Sequence, residues 1–543
     1  MRTFINQFLR QKLRQEEMVF LGFFGKRPKM AKRLFFTWAC ILSILTCFPL
    51  FALEYPPDYT FVEVPDPLSG DNPTYPLIPM DVPVIGESFY DLRFGTILTR
   101  VTEINGINGR HEYSRFDPFN ANQSMVVLLP ENDWFVYRTQ SMLYNQSSNL
   151  VMVLHGMAEP RWAPNDPNLI WCLQEFRIIT VNVQTGQETI IKDFSQDPTI
   201  GPIITAEPDV YRITTKDEGE SSMDKRFWAF MLQGYNAPDG DPYRPRYIFT
   251  WDSQQDNVLG VYPIPLSEAA IDWVGVSPKG NWVLIGGLDY NGGNLVGLTM
   301  ANKELTQFHR LDYTTAHSDV GLDIEGNEVI VMQNTRTDYI DLLPIDLNTE
   351  PILEPGGSYE GTNRTPLIRL FYADWSPIGL NSGVHISCNF PGYCVVSTNI
   401  EPSVPEQNWL DRTITLVKLD QTQPRVFYLA KVYNTTGAYW EETHATITND
   451  GSKVVWVSNW GQDVGQEKVF LLQLDMPEEP MTPPPIIERI SPEIGAISGG
   501  DEVTITGNYF QDDATITIGD NPATEVTVDS PTQITAQIPP GEL

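Results

Sequence analysis

The stretch Asp272-Trp-Val-Gly-Val-Ser-Pro-Lys-Gly-Asn-Trp-Val-Leu-Ile285 decides the fold. It predicts a short strand, a turn and a second strand, because Pro, Gly and Asn favour turns and the residues on either side are largely apolar. The same order returns over 317–331 and 444–457, where Gly326 and Gly451 stand in the turns. A unit that recurs along the chain indicates a repeat architecture.

Weaker copies of this unit bring the number to seven. The spacing between their turns leaves room for one four-stranded sheet per unit, and seven sheets around an axis make a β-propeller, which leaves only short edges exposed. We therefore expect an all-β fold with a seven-bladed β-propeller over about residues 85–476. The early strand 97–102 is expected to pair with the last unit and close the ring. The turns lie 44 to 66 residues apart, at Asn122, Asp166, Asp224, Gly280, Gly326, Gly392 and Gly451.

Two of the turns resemble a known family. Ser277-Pro278-Lys279-Gly280 and Asn449-Asp450-Gly451 are similar to the strand-turn-strand core of the TolB-like and oligogalacturonate-lyase-like propellers of exported bacterial proteins. That core reads roughly Ser-Pro-Asp-Gly before an apolar strand. The resemblance covers most of residues 85–476 and implies a propeller fold.

The sequence changes character after residue 476. Pro483-Pro484-Pro485 predicts a stiff, Pro-rich linker over 477–485. Residues 486–543 alternate β-branched residues between Gly and Pro turns, which is typical of an immunoglobulin-like β-sandwich. This part resembles an IPT/TIG domain. Such domains continue past a segment like Ile538-Pro539-Pro540 into a closing strand, so we expect the sandwich to be incomplete and the chain to be a fragment of a longer protein.

The beginning of the chain is typical of an export signal. Basic residues from Lys26 to Arg33 precede an apolar run over 34–50, which is the order found in signal peptides. We expect residues 1–52 to be this signal, with Met30 as the true start, followed by a Pro-rich extended segment over 53–84. The protein is then expected to be secreted, periplasmic or at the cell surface, and to meet the membrane only through the signal segment if it is uncleaved.

The charge of the chain excludes some partners. The full chain has 36 Lys and Arg against 69 Asp and Glu, a net charge of −33. Because residues 1–52 hold nine of the basic residues and two of the acidic ones, the remainder is more acidic still. A strongly negative surface repels nucleic acid and anionic lipid, so neither is an expected partner.

Three cysteines follow the signal: Cys172, Cys388 and Cys394. In an oxidising compartment, the turn-like residues between Cys388 and Cys394 would let the two form a hairpin disulfide. Three buried thiols are the alternative, since Cys packs well in a core.

The standard catalytic signatures are absent from the sequence, including Gly-x-Ser-x-Gly, His-Glu-x-x-His, the phosphate-binding loop and the EF-hand loop. Four histidines form the remaining pattern. His317, His385, His444 and His111 lie nine, seven, seven and eleven residues before their turns. Since all four offsets are odd, their side chains are expected on one face and at similar heights. They would bind a divalent metal or accept a proton; alternatively, each satisfies a backbone group of a neighbouring blade.

The resemblance to oligogalacturonate lyases implies a role for this pattern. In that family, histidines and a glutamine from neighbouring blades hold a divalent metal, which neutralises a uronate carboxylate. By resemblance His317, His385 and His444 are the candidate ligands, and Mn or Ca the candidate metal. The family's close pair of histidines in one blade has no counterpart here, because Cys388 follows His385. The loop pair Asp239 and Asp241 is a second, weak calcium candidate.

Several aromatic and basic residues stand near blade starts. The aromatic rings would stack on sugar rings or fill the core. The arginines would neutralise an acidic ligand or pair with carboxylates. The ligand-binding candidates are His111, Arg115, Arg161, Trp162, Trp273 and Trp440; Trp375 and Tyr439 belong to the same aromatic group.

Two functions fit these observations. The first is an exported propeller scaffold that binds a carbohydrate or an extracytoplasmic protein partner, with the immunoglobulin-like domain as a spacer or binding module. The alternative is a metal-dependent carbohydrate-active enzyme, a polysaccharide or oligogalacturonate-type lyase with its histidines at the propeller axis. The missing catalytic motifs favour the first, and the aligned histidines favour the second.

Overall fold

The computed structural model describes residues 53–541 with gaps. The export signal with Met30, and the linker 477–485, lie outside the described residues. The gaps are 57–58, 70–71, 104–109, 130–132, 235–243, 266–270, 288–294, 335, 354–356, 371–382, 400–407, 435–438, 440–441, 463–464, 476–485, 493, 509, 511–513, 519–520 and 531.

The described residues are folded almost entirely into short β-strands. Three strands come first: β1 (Val62–Glu63), β2 (Ser88–Tyr90) and β3 (Ile97–Arg100). The first three sheets then contain β4 (Met125–Leu128), β5 (Trp134–Arg138) and β6 (Leu150–Leu154); β7 (Ala158–Trp162), β8 (Leu169–Gln174), β9 (Arg177–Asn182) and β10 (Gln187–Asp193); and β11 (Val210–Thr214), β12 (Phe227–Gly234), β13 (Pro245–Asp252) and β14 (Asn257–Pro263). The helical elements described are α1 (Ile200–Ala206) and two 3-10 turns, Ser147–Asn149 and Phe194–Gln196.

Four more sheets follow in the same manner. They contain β15 (Ile271–Val276), β16 (Val283–Gly287), β17 (Gly297–Ala301) and β18 (Phe308–Asp312); β19 (Ser318–Leu322), β20 (Glu328–Asn334), β21 (Tyr339–Pro344) and β22 (Thr365–Arg369); β23 (Gly383–Ser387), β24 (Tyr393–Asn399), β25 (Thr413–Lys418) and β26 (Arg425–Lys431); and β27 (Thr446–Ile447), β28 (Lys453–Ser458) and β29 (Lys468–Gln473). All strand pairs in these sheets are antiparallel.

The seven sheets pack face to face around a closed ring. A buried apolar cluster lies between each sheet and the next, and one cluster joins Val126 and Leu128 of the first sheet to Val455 and Val469 of the last. Apolar runs such as 329–332 are buried on both faces, which is why they do not alternate with polar residues. This arrangement confirms the predicted β-propeller.

The ring is closed by a strand from near the start of the chain. β3 pairs with β29, with Leu98 opposite Leu472 and Arg100 opposite Phe470. The predicted pairing of the early strand with the last unit is therefore confirmed. β1, which lies in the segment 53–84, adds a further strand to β26.

The repeated turns use glycine because the backbone requires it. Gly280 and Gly451 adopt φ values of 76° and 67°, the left-handed region that favours glycine. A Cβ at Gly451 would also approach the ring of Phe390 to 2.8 Å, because neighbouring turns pack together.

A separate small domain follows residue 485. Its strands are β30 (Ile486–Ser491), β31 (Glu502–Asn508), β32 (Thr517–Ile518), β33 (Asn521–Pro522), β34 (Thr524–Ser530) and β35 (Gln533–Gln537). They form a four-stranded sheet in the order β30-β31-β35-β34 and a two-stranded ribbon. Val503, Ile505 and Ile534 lie in its core. The domain is the predicted immunoglobulin-like sandwich.

None of the helices in the described part of the chain has the length and apolar character that crossing a bilayer requires.

The closing strand predicts a stability effect. Leu98 is buried between the last sheet and its neighbour, so Leu98→Ala should lower the free energy of unfolding by about 2–5 kcal/mol, as truncation of a buried leucine does. Urea unfolding followed by tryptophan fluorescence measures this change. Leu92→Ala is the matched control, because Leu92 is 51% exposed and should change stability by no more than about 0.5 kcal/mol. Equal effects would show that β3 does not hold the ring closed.

Candidate functional site

Three histidines from neighbouring sheets meet at one place in the ring. His385 lies in β23. His317 directly precedes β19 and His444 lies two residues before β27, and these are the first strands of the adjacent sheets. These first strands, which we call the inner strands, pack side by side from β19 to β23 and from β23 to β27. The ring centroids of His317 and His385 are 4.9 Å apart, and those of His385 and His444 are 3.8 Å apart. The structure thus brings the three candidate ligands together.

One group of side chains that could bind a metal ion includes a residue that the sequence pattern missed. One ligand atom each from His385, Glu442 and His444 lies within 4.8 Å of the others. The Nε2 of His385 donates to the Glu442 Oε2 at 2.7 Å. His317 stands beside this trio and is not one of its three members. The one sequence signal for Glu442 is its position two residues before His444.

A glycine makes room for the Glu442 carboxylate. Gly383 begins β23, two residues before His385. A Cβ added there would overlap the carboxylate of Glu442. The absence of a side chain at position 383 therefore allows Glu442 to reach His385.

Two tyrosines connect His317 to the edge of the site. The hydroxyl of Tyr439 donates to that of Tyr113 at 3.0 Å, and Tyr113 Oη lies 3.2 Å from His317 Nδ1. Tyr113 is buried, whereas Tyr439 is 42% exposed. This chain of hydrogen bonds leads from the surface to the half-buried imidazole of His317.

His111 has a structural contact rather than a place in the trio. Its Nε2 donates to the carbonyl oxygen of His444 at 2.7 Å, so it satisfies a backbone group of the last sheet. This contact corresponds to the alternative role given above, in which a histidine satisfies a backbone group of a neighbouring blade. His444 itself also donates through Nε2 to the Tyr439 carbonyl at 3.0 Å.

Burial keeps the imidazoles neutral. Desolvation lowers the pKa of His111 to about 4 and lowers the pKa of His385 and His444 well below the ordinary value, with neighbouring histidines adding to the effect in the last two. Burial lowers the pKa of His317 as well, against the attraction of Glu442. Neutral imidazoles are the form that binds metal ions.

The two candidate arginines are buried and paired with carboxylates. Arg115 contacts Glu218 at 3.0 Å, and Arg161 contacts Glu112 at 2.8 Å and Glu220 at 3.2 Å. Of the two roles that the sequence allows, neutralising an acidic ligand or pairing with carboxylates, the structure shows the pairing.

The two candidate tryptophans have protein contacts of their own. The Arg115 guanidinium covers the ring of Trp273 at 4.6 Å, and Trp162 Nε1 donates to the carbonyl of Pro118. All four residues, Arg115, Arg161, Trp162 and Trp273, line one cavity of about 470 Å³.

The remaining candidates divide between described and undescribed residues. Cys388 and Cys394 are joined in a disulfide, with their Cα atoms 4.2 Å apart, and Cys172 is a buried free thiol. Trp440, Trp375 and the pair Asp239 and Asp241 lie outside the described residues.

Comparison with known proteins identifies the C-terminal domain. Residues 485–542 match the IPT/TIG domain family, so the predicted IPT/TIG domain is confirmed. No curated protein matches the chain.

Solved structures similar to this chain include two oligogalacturonate lyases. One, in complex with manganese, shares 11% sequence identity at a TM-score of 0.47 and covers 72% of this chain and 97% of its own. The other, from Vibrio parahaemolyticus, shares 10% identity at a TM-score of 0.45 and covers 71% and 96%. The tricorn protease shares 10% identity at a TM-score of 0.38 and covers 69% and 34%.

The low pKa of His111 predicts a pH effect on stability. The unfolded chain binds a proton at this residue near pH 6.5, whereas the folded chain binds it only near pH 4. As the pH drops from about 6.5 to about 4, His111 therefore lowers the free energy of unfolding by about 3 kcal/mol in total. His111→Gln should remove that part of the loss, which urea unfolding of both proteins between pH 7 and pH 4 measures. Parallel pH curves for the two proteins would contradict the assignment.

Proposed function

We propose that this chain is an exported, metal-binding β-propeller protein that binds an oxygen-rich ligand, a carbohydrate, at the metal. The observation that supports the proposal most is the trio of His385, Glu442 and His444. Two buried, neutral imidazoles and one half-buried carboxylate, within 4.8 Å of one another, are a donor set for a divalent cation. The residues present therefore fit a metal ion.

The donor types favour a first-row transition ion over calcium. Calcium takes six to eight oxygen ligands, and this trio offers one carboxylate and two imidazoles. Mn²⁺ and Zn²⁺ accept such mixed sets. The net charge of −33 also favours cation capture, because a negative protein raises the local concentration of cations. The acidic surface that excludes nucleic acid thus suits a metal-binding protein.

The surrounding residues suit a ligand that approaches past Tyr439. Its ring is 42% exposed and stands 5.0 Å from the ring of His444. An aromatic face beside a bound cation can contact a sugar ring while the cation binds the sugar's oxygens. The ligand would meet buried Tyr113 and His317 next.

A second candidate function is a lyase acting on an acidic sugar, and His317 is the residue that favours it. A divalent cation supplies charge neutralisation for a carboxylate and so makes the adjacent carbon more acidic. His317 is neutral and in contact with the trio, and its Nδ1 is held by Tyr113. With the Nδ1 proton donated to the tyrosine oxygen, the other ring nitrogen is a base able to accept a proton from the ligand.

The trio predicts one bound transition ion for each chain. Purified protein incubated with Mn²⁺ and then desalted should retain about one ion, measured by inductively coupled plasma mass spectrometry, because three protein ligands hold it. His385→Ala and Glu442→Gln should each weaken binding by about 100-fold or more, since even residues that only support ligands cost 10- to 100-fold.

The control is His155→Ala, because the His155 side chain is 76% exposed and lies outside the trio. It should retain the ion. Metal content that is equal in all four proteins would refute the site, and Glu442→Gln keeps the test valid if His385→Ala fails to fold.

The close contact between Gly383 and the Glu442 carboxylate predicts that a side chain at position 383 weakens metal binding. Gly383→Ala adds one methyl group where the Glu442 carboxylate lies, so Glu442 should be displaced and Mn²⁺ affinity should fall by about 10- to 100-fold. Isothermal titration calorimetry measures the affinity. Gly541→Ala is the matched control, since a Cβ at Gly541 would make only ordinary van der Waals contacts with Ile497, at 3.5 and 3.9 Å. Unchanged affinity in Gly383→Ala would show that Glu442 does not bind the ion.

Only the second candidate function, the lyase, forms a product that can be measured. Incubation with Mn²⁺ and digalacturonate would yield an unsaturated sugar, detected by its ultraviolet absorbance, if the lyase candidate is correct. His317→Gln should then abolish the product while leaving the ion bound. Binding of sugar without any product would support the binding function alone.

A further inference from the structure

The cavity of about 470 Å³ is lined by most of β19 and by residues beyond the ends of β23 and β27 that lie away from the histidines. Its lining includes residues that end or follow these strands, namely Leu322 at the end of β19, Asn389 after β23 and Asn449 after β27. His317 and His444 instead precede β19 and β27. None of the three residues of the metal trio lines the cavity, so the cavity and the trio are distinct sites within one ring.

The lining combines aromatic surface with two buried cations. Phe116, Phe119 and Trp162 contribute rings, and the cavity is within the size range of small-molecule sites. Arg115 and Arg161 are 3% and 7% exposed. Buried arginines that line a cavity are costly unless their donors find acceptors.

Each arginine has one nitrogen with no acceptor among the described groups. Arg161 uses Nε for Glu220 and one terminal nitrogen for Glu112, and its second terminal nitrogen, Nη2, has no partner. Arg115 uses both terminal nitrogens for Glu218 and Ser318, and its Nε has none. Both nitrogens are buried and shielded from solvent, so a ligand oxygen pairs with them when the guanidinium groups turn toward the cavity.

The charge around the cavity determines which acceptors are suitable. Both guanidinium groups are already neutralised by Glu112, Glu218 and Glu220. Other carboxylates in the lining are Asp117, Asp319 and Asp450, against Lys225 as the one further cation among the described lining residues. Burial raises the pKa of Asp117 and of Asp319 to about 7, so these two carboxyl groups are partly protonated near neutral pH. The lining therefore offers an anion no excess of positive charge, and hydroxyl and ether oxygens suit the site better than carboxylates or phosphates.

We propose that this cavity is a second binding site of the propeller, for a small neutral saccharide. The arginine donors bind its hydroxyl oxygens, and the ring of Trp162 packs against its apolar face. The site is separate from the metal trio and needs no metal ion.

The test uses maltose and cellobiose as neutral probes and digalacturonate as the acidic probe. Binding to the full chain is measured by tryptophan fluorescence in the presence of a chelator, which removes the metal site from the measurement. We expect at least one neutral probe to bind and digalacturonate to bind more weakly. Failure of both neutral probes, or a preference for digalacturonate, would overturn the proposal.

Arg161→Lys tests the donor directly. It keeps the positive charge beside Glu112 and Glu220 but removes the Nη2 donor, so affinity for the neutral probe should fall about tenfold, as the loss of one hydrogen bond from a charged group implies. Arg364→Lys is the matched control. Arg364 is buried between Asp312 and Asp341 and also has a nitrogen without a partner, its Nε, but it does not line the cavity.

Ala121→Trp provides a second test that leaves the core intact. Ala121 is exposed and lines the cavity, so a large side chain there should obstruct the entrance and abolish saccharide binding. Thermal unfolding of this variant should match that of the original protein. Saccharide binding that survives both Ala121→Trp and Arg161→Lys would place the site elsewhere and refute the proposal.

Discussion

The structure depends on the packing of seven sheets against each other in a closed ring. Each sheet buries apolar side chains on both faces, and this is satisfied only if the last sheet also packs on the first. β3 makes that closure by pairing with β29. The constraint fixes the direction of the inner strands, because each sheet repeats the same order of strands. Residues more than 100 positions apart in the chain, such as His317 and His444, are thereby placed on either side of His385.

Much of this arrangement could be predicted from the sequence. The turn residues identify the units because Gly280 and Gly451 need a backbone conformation that other residues rarely adopt. The odd offsets of the histidines from these turns predict that their rings share a face, and the rings of His317, His385 and His444 do meet. The sequence also predicts that the early strand pairs with the last unit, because a ring needs its two ends joined.

Other features could not be predicted because they depend on space and not on pattern. Glu442 lies in the connection before β27, where no alternation of polar and apolar residues shows which side chains face inward. Its position depends on the absence of a side chain at Gly383 in another sheet. His111 binds a backbone carbonyl because the backbone of His444 comes within hydrogen-bond distance of its ring, and the sequence does not specify that distance. The carboxylate partners of Arg115 and Arg161 come from distant segments, so the sequence left their pairing undecided.

The central claim is that ring closure assembles His385, Glu442 and His444 into one metal site. The most direct measurement is anomalous X-ray diffraction from crystals grown with Mn²⁺, recorded on both sides of the manganese absorption edge. The claim predicts a single strong anomalous peak in contact with both imidazoles and the Glu442 carboxylate. A strong manganese peak elsewhere in the ring, with these three side chains in contact only with each other, would contradict it.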